Sequence, residues 1–116
     1  MKVSVDRDGS CCVVRLSGEL DVSQRRDLEA AVGGAGAGSS LTVVDLADVT
    51  FIDCSVVGVL VAAATRSRRQ GQSFQVANLH GISAKVIRLL DVADVLGVEE
   101  GRPGREADVG LSRRAV

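Results

Sequence analysis

Three small reactive side chains stand together in this chain: a carboxylate at Asp53, a thiol at Cys54 and a hydroxyl at Ser55. They fall between two apolar stretches, Leu41–Leu46 and Val56–Ala64. The second stretch reads as a helix, so the trio lies at a helix start, where backbone N–H groups lack intrahelical partners and favour negative charge. Such a place suits a phosphoryl switch or a regulatory thiol. Neither Lys nor His adjoins Cys54 in sequence to activate it, and a small packing substitute for Ser is the favoured reading of the thiol.

Other groups that could do chemistry give weaker patterns. Asp45, Asp48 and Asp53 surround one strand end and could hold Mg²⁺ or serve phosphoryl transfer. Their spacing fits no phosphotransfer motif, and the favoured reading makes Asp53 a helix N-cap and Asp48 a turn former. His80 is the only histidine and has no companion ligand motif, so it reads as a cap or surface residue, and no metal site is expected. A Cys54–His80 nucleophile pair needs the fold to bring the two together. Cys11 and Cys12 are adjacent in a predicted strand and point to opposite faces, and three cysteines make no disulfide framework. The glycine-rich stretch 33–40 follows a helix and ends without Lys-Ser or Lys-Thr, which argues against a phosphate-cradling loop. Arg66, Arg68 and Arg69 have no aromatic neighbours for base stacking and read as a solvated helix end.

The elements that must position Asp53–Ser55 follow from periodicity. Residues 2–6 alternate as a strand, 8–10 turn, and 11–17 return as a second strand that Gly18–Asp21 closes. A helix is predicted from about Val22, capped by Asp21 or Ser23, with Leu28, Ala31 and Val32 inward and Arg25, Arg26 and Glu29 outward. A flexible loop at 33–40 leads to a buried strand at 41–46 and a short acidic turn at 47–53. The next helix runs to about Arg69 with Val57, Leu60, Val61 and Ala64 as its buried stripe, and Gly71 stops it. A strand at 73–77, a helix at 82–90 with Val86, Leu89 and Leu90 inward, a connector at 91–96 anchored by Val92 and Val95, and a short strand at 97–99 complete the domain. Residues 1–100 thus form one domain, and 101–116 form a tail or a short closing helix using Ala107, Leu111 and Ala115.

The expected class is α/β in the order β-β-α-β-α-β-α, with helices packed on a mixed sheet of four to five strands. Only Phe51 and Phe74 are aromatic, so the core must be Val, Leu, Ile and Ala. A net charge of −1 over 116 residues suggests no strong attraction to nucleic acid or to an acidic membrane. The Val56–Ala64 stretch is far short of the roughly 20 residues a membrane helix needs. The charged start, Met1 to Asp8, does not read as a signal peptide, and a cytoplasmic protein is expected.

Three segments, taken in order, resemble the STAS domain of anti-sigma factor antagonists. These are Gly18-Glu19-Leu20-Asp21, then Val43-Val44-Asp45-Leu46 with Val49-Thr50-Phe51-Ile52-Asp53 and Gly58-Val59-Leu60, then Val86-Ile87-Arg88-Leu89-Leu90-Asp91-Val92. The resemblance spans roughly residues 2–100 and implies an STAS-type sheet. It also implies partner switching: the unphosphorylated domain binds an anti-sigma factor of the Ser/Thr kinase type, frees a sigma factor, and is reset by phosphorylation. It implies no enzyme activity, catalytic residue or cofactor. The family pattern at the helix start is Asp-Ser-Ser-Gly or Asp-Ser-Thr-Gly, with the first Ser as phospho-acceptor. Here that position is Cys54, Val56 replaces the Gly, and Asp53 and Ser55 are retained. The implied partner-binding residues are Asp21, Asp53, Cys54, Ser55 and Val56. Ser55 is an alternative phosphosite, although one step along a helix turns the side chain by about 100°. The favoured alternative is a domain that is not phosphorylated here and binds constitutively. Val56 is expected to obstruct a close-fitting kinase loop. A further reading is a scaffold or sensor STAS module outside sigma control.

Overall fold

A computed structural model describes residues 1–35 and 38–98 of the chain. Strands β1 (Lys2–Asp8) and β2 (Cys11–Leu20) form an antiparallel hairpin. It turns at Gly9, whose φ of 63° suits a residue without a Cβ. β3 (Leu41–Ile52) lies parallel to β2, and β4 (Ser73–Ala77) lies parallel to β3. The result is a four-stranded mixed sheet in the order β1-β2-β3-β4. Helix α1 (Arg25–Ala35), entered through a single 3₁₀ turn at Val22–Gln24, joins β2 to β3, and α2 (Cys54–Arg69) joins β3 to β4. α3 (Gly81–Leu89) and a single turn, α4 (Ala93–Leu96), follow β4. The predicted α/β order is therefore observed, with α4 in place of the connector.

Alternation along β2 buries Cys12, Val14 and Leu16, and β3 answers with Val44, Leu46, Val49 and Ile52. α1 contributes Leu28 and Val32, and α2 contributes Val56, Val57, Leu60, Ala63 and Ala64. Each large aliphatic side chain in this layer is stabilised by about 1.5–3 kcal/mol relative to exposure. Ala31 and Val61, expected inside, are only half-buried.

Five local expectations need correction. β2 continues through Gly18 to Leu20, and β3 continues to Ile52, because Gly18 pairs with Val49, Glu19 with Phe51 and Leu20 with Ile52. The polar step at Ala47-Asp48 marks a register shift rather than a turn. α1 carries on through Gly33 and Gly34 to Ala35, so the loop is shorter than predicted. In α3 the inward residues are Ser83, Ala84 and Ile87, whereas Leu89 is 85% exposed and Leu90 is exposed too. The predicted phase was displaced, because α3 carries apolar residues on two faces and periodicity alone does not choose between them. The anchor after α3 is Leu96, fully buried, while Val95 faces outward. Gly97 (φ 66°) closes α4 beside β4, where an added Cβ would clash with the Phe74 carbonyl oxygen. Beyond it, Val98 makes a parallel bridge to Val76, within the stretch expected to form the last short strand. Glu99 and the predicted tail, 101–116, lie outside the described residues. Among the described residues no helix is long and apolar enough to cross a membrane.

Candidate functional site

Because β2 and β3 run parallel and end in register at Leu20 and Ile52, the chain leaves the sheet twice at one place. Each exit begins with an aspartate. Asp53 donates its backbone N–H to the Leu20 carbonyl at 2.9 Å, which ties the start of α2 to the end of β2. Its extended backbone (φ −85°, ψ 149°) turns the carboxylate back over the helix. Oδ1 accepts from the Ser55 N–H at 2.8 Å and from the Ser55 hydroxyl at 2.9 Å. The Asp53 carbonyl accepts from Val56 and Val57 at 2.9 and 3.2 Å, the first turn of α2.

Asp21 repeats this design one strand over. Its Oδ1 accepts from the Ser23 N–H at 2.9 Å and the Ser23 hydroxyl at 2.5 Å. Its own N–H donates to Gln24 Oε1 at 3.2 Å, which completes a capping box. Asp21 is therefore the cap and Ser23 its donor. The repeat of Asp-x-Ser at 21–23 and 53–55 was visible in the sequence, but its meaning depends on the pairing of two strands far apart in the chain.

The two hydrogen bonds from Ser55, backbone first and side chain second, hold the Asp53 carboxyl below the usual carboxylate range. A carboxyl lowered by folding stabilises the fold above its unfolded pKa of about 3.9, and that contribution is lost as pH falls through the folded value. The Asp53→Ala variant is therefore expected to melt below the wild type at neutral pH. The gap should close as pH falls below about 4, the unfolded carboxyl range, through the lowered folded value. Thermal melts by circular dichroism across that range check this, and a gap independent of pH would count against the cap.

Cys54 and Ser55 are both exposed at the helix start. Val56 is not: its side chain is fully buried on the same face as Leu60 and Ala63. The family pattern had placed Val56 with the partner-binding residues and as an obstruction to a kinase loop. Helix geometry turns its side chain into the core instead. The outer face of α2 continues from Cys54 and Ser55 to Gly58 and Ala62, all small and exposed. A Cβ added to Gly58 would meet nothing within 4 Å. Around the two caps the sheet end presents Val22 (60% exposed) and Phe51 (41% exposed), with Glu19 paired to Phe51 across the strands. Sequence reasoning missed Val22, Phe51 and Gly58 as surface features. For Phe51 the cause is the register shift in β3, which alternation along one strand does not reveal.

The remaining candidates have structural work. His80 bonds through Nε2 to the Ala47 carbonyl at 2.7 Å, so Nε2 carries the proton there. Asn78 (φ 63°) donates to Asp45 Oδ1 at 2.8 Å, and the same oxygen accepts from the Ala47 N–H at 2.9 Å. Arg15 Nε lies 3.6 Å from Asp45 Oδ2 and also pairs with Asp6. Asp45, Asn78 and His80 thus pin the β4–α3 loop to the middle of β3, and His80 is engaged there rather than with Cys54. Among the described residues no three His, Cys, Asp or Glu side chains converge as a metal site. Cys11 and Cys12 begin β2, a ten-residue strand whose far end adjoins Asp53. That length, about 30 Å, rules out an internal disulfide with Cys54. Burial, then Cys12 and Asp8, push the Cys11 thiol pKa up. Arg66, Arg68 and Arg69 occupy the last turn of α2, and Arg68 donates to the Val95 carbonyl.

The family model described as Mlab, STAS domain matches residues 3–98. Among solved structures, an anti-sigma factor antagonist from Mycobacterium paratuberculosis superimposes with a TM-score of 0.81 at 21% identity, covering 99% of this chain and 94% of that one. The anti-sigma factor antagonist SpoIIAA in its unphosphorylated form gives 0.75 at 16% identity, covering 99% and 98%. A sulfate transporter family protein from Wolinella succinogenes gives 0.67 at 11% identity, covering 78% and 77%. No curated protein matches the chain by sequence. At these identities the structural likenesses establish a shared fold.

Proposed function

Since this chain belongs to the STAS domain family, we propose that it is an anti-sigma factor antagonist. It binds an anti-sigma factor of the Ser/Thr kinase type, releases a sigma factor, and performs no turnover itself. The observation that carries this reading is the exposed start of α2, where Cys54 stands in the acceptor position on a rigid cap beside the second capped exit. The docking face comprises Asp21, Asp53, Cys54 and Ser55, extended by Val22, Phe51 and Gly58. It is apolar at its centre and acidic around it, which suits a partner with a basic rim.

In a switching antagonist a phosphoryl group adds nearly two negative charges in the middle of the contact and breaks it. Here the acceptor position carries a thiol, and the Ser55 hydroxyl already donates to Asp53. The domain therefore binds constitutively. A pull-down against kinase-type anti-sigma factors of the source organism tests this. Capture is expected with ADP and equally with ATP, with no phosphate on the recovered domain by intact mass. Capture by none of them removes the sigma reading.

A second reading then takes its place: an STAS module that serves as scaffold or sensor outside sigma control. It is favoured by the likeness to a sulfate transporter family protein, whose name places this fold outside the antagonists.

A further inference from the structure

We propose that the free edge of β1 is a self-association surface, on which a second copy of this chain lays its own β1 antiparallel and joins the two sheets into one. β1 is terminal in the sheet order, and all seven of its residues are exposed. Val3 and Val5 pair with Leu16 and Val14 of β2 and so lie on the core-facing side of the sheet, yet they remain 39% and 42% exposed. Among the described residues β1 pairs only with β2, so the outward row of its backbone groups is open to another strand.

The charge pattern selects the occupant. Lys2-Val3-Ser4-Val5-Asp6 is antisymmetric about Ser4. An antiparallel copy centred there sets Lys2 opposite the partner's Asp6 and Val3 opposite the partner's Val5, twice over by symmetry. The two valine pairs fall on the helix-bearing face, and the two ion pairs fall on the other. Asp6 then sits between Arg15 of its own chain and the partner's Lys2. Centring on Val5 instead would keep one Val5–Val5 pair but place each Val3 opposite an arginine and each Asp6 opposite Ser4, so one valine pair replaces two. Edge charges commonly keep a strand from pairing with strangers. These charges repel arbitrary strands and complement a copy of themselves. β2 runs antiparallel to β1 in each copy, so β2 and β3 of the two copies point in opposite directions. The ends bearing Asp21 and Asp53 then face away from each other, and each copy keeps its docking face open.

Sedimentation of the full chain over a concentration series tests the association, with circular dichroism to confirm folding of each variant. A monomer–dimer equilibrium is expected. Lys2→Asp turns two attractive pairs repulsive at once and should raise the dimer dissociation constant about tenfold, and adding Asp6→Lys should restore most of the loss. The register is read separately in a background with Cys11, Cys12 and Cys54 all changed to Ala, because Cys12 lies directly opposite Arg7 in its own chain. Directly opposed residues of antiparallel strands have Cα atoms about 4.5–5.5 Å apart, within disulfide reach. Ser4→Cys should therefore cross-link to a dimer when diamide takes up the two electrons and two protons, and Arg7→Cys should not. A monomer at every concentration overturns the proposal. So does a dimer that Lys2→Asp leaves unchanged, or equal cross-linking of Ser4→Cys and Arg7→Cys. Pairing of β1 with a foreign peptide in place of a copy would appear as the first of these.

Discussion

Replacing Cys54 with serine is expected to give a domain that a kinase-type anti-sigma factor phosphorylates to completion. The position is exposed, its neighbour Asp53 is already fixed by Ser55, and the cap leaves the side chain at 54 free to project. Val56 offers no obstruction, because its side chain is fully buried. The new hydroxyl would attack the γ-phosphorus of ATP, ADP would leave, and the proton would pass to the kinase's base. The product carries about two negative charges at a helix N-terminus, which tolerates them. Those charges would lie at the apolar centre of the proposed contact, where docking has to strip their water. Phosphorylation should weaken partner binding by at least about 100-fold, the scale of burying an uncompensated charge in an interface. Intact mass after incubation with kinase, ATP and Mg²⁺ reads the first effect, and titration calorimetry of the phosphorylated variant reads the second. A Cys54→Ser protein that binds the kinase and stays unmodified would show that something other than the acceptor atom blocks transfer.

The order of elements along the chain and the Asp53 cap are legible because both are local. Alternation in β1 and β2, and an aspartate placed directly before an apolar helix, depend on a few neighbouring residues. The misreadings share a different origin. Val56 was assigned to the surface by analogy with a family glycine, while its spacing to Leu60 and Ala63 already placed it on the buried stripe. Leu89 was assigned to the core although Ile87 could equally set the phase of α3, and only the packing partner on β3 decides. Phe51 and the Asp21–Asp53 adjacency depend on where β2 and β3 register past the irregularity at Ala47-Asp48. Register between strands twenty or more residues apart is set by the whole core and leaves no mark in either segment alone. The proposed docking face was thus half visible: its polar caps could be read directly, and its apolar centre could not.

Gly58 separates folding from docking: two substitutions there should leave the fold at least as stable as it is, while the larger one abolishes tight docking. It lies one helical turn beyond Cys54 on the same exposed face, in mid-helix, where glycine costs about 0.5–1 kcal/mol relative to alanine. Nothing stands within 4 Å of an added Cβ, so packing gives no reason for glycine there. Gly58→Ala should therefore stabilise the domain by about that amount, visible as a higher denaturation midpoint. Gly58→Arg should also fold at least as well as the wild type, since arginine is a good helix former and its side chain extends into open space. Docking is where the two part. If the partner closes on the outer face of α2, a long cation one turn from Cys54 occupies the space the partner must fill. Affinity should then fall by at least about 100-fold, the effect of disrupting a central contact. Calorimetric titration with the captured anti-sigma factor measures this directly. Undiminished binding by Gly58→Arg would move the interface off α2 and onto the sheet end around Val22 and Phe51, whose exposed apolar surface would then have to supply the affinity without the helix.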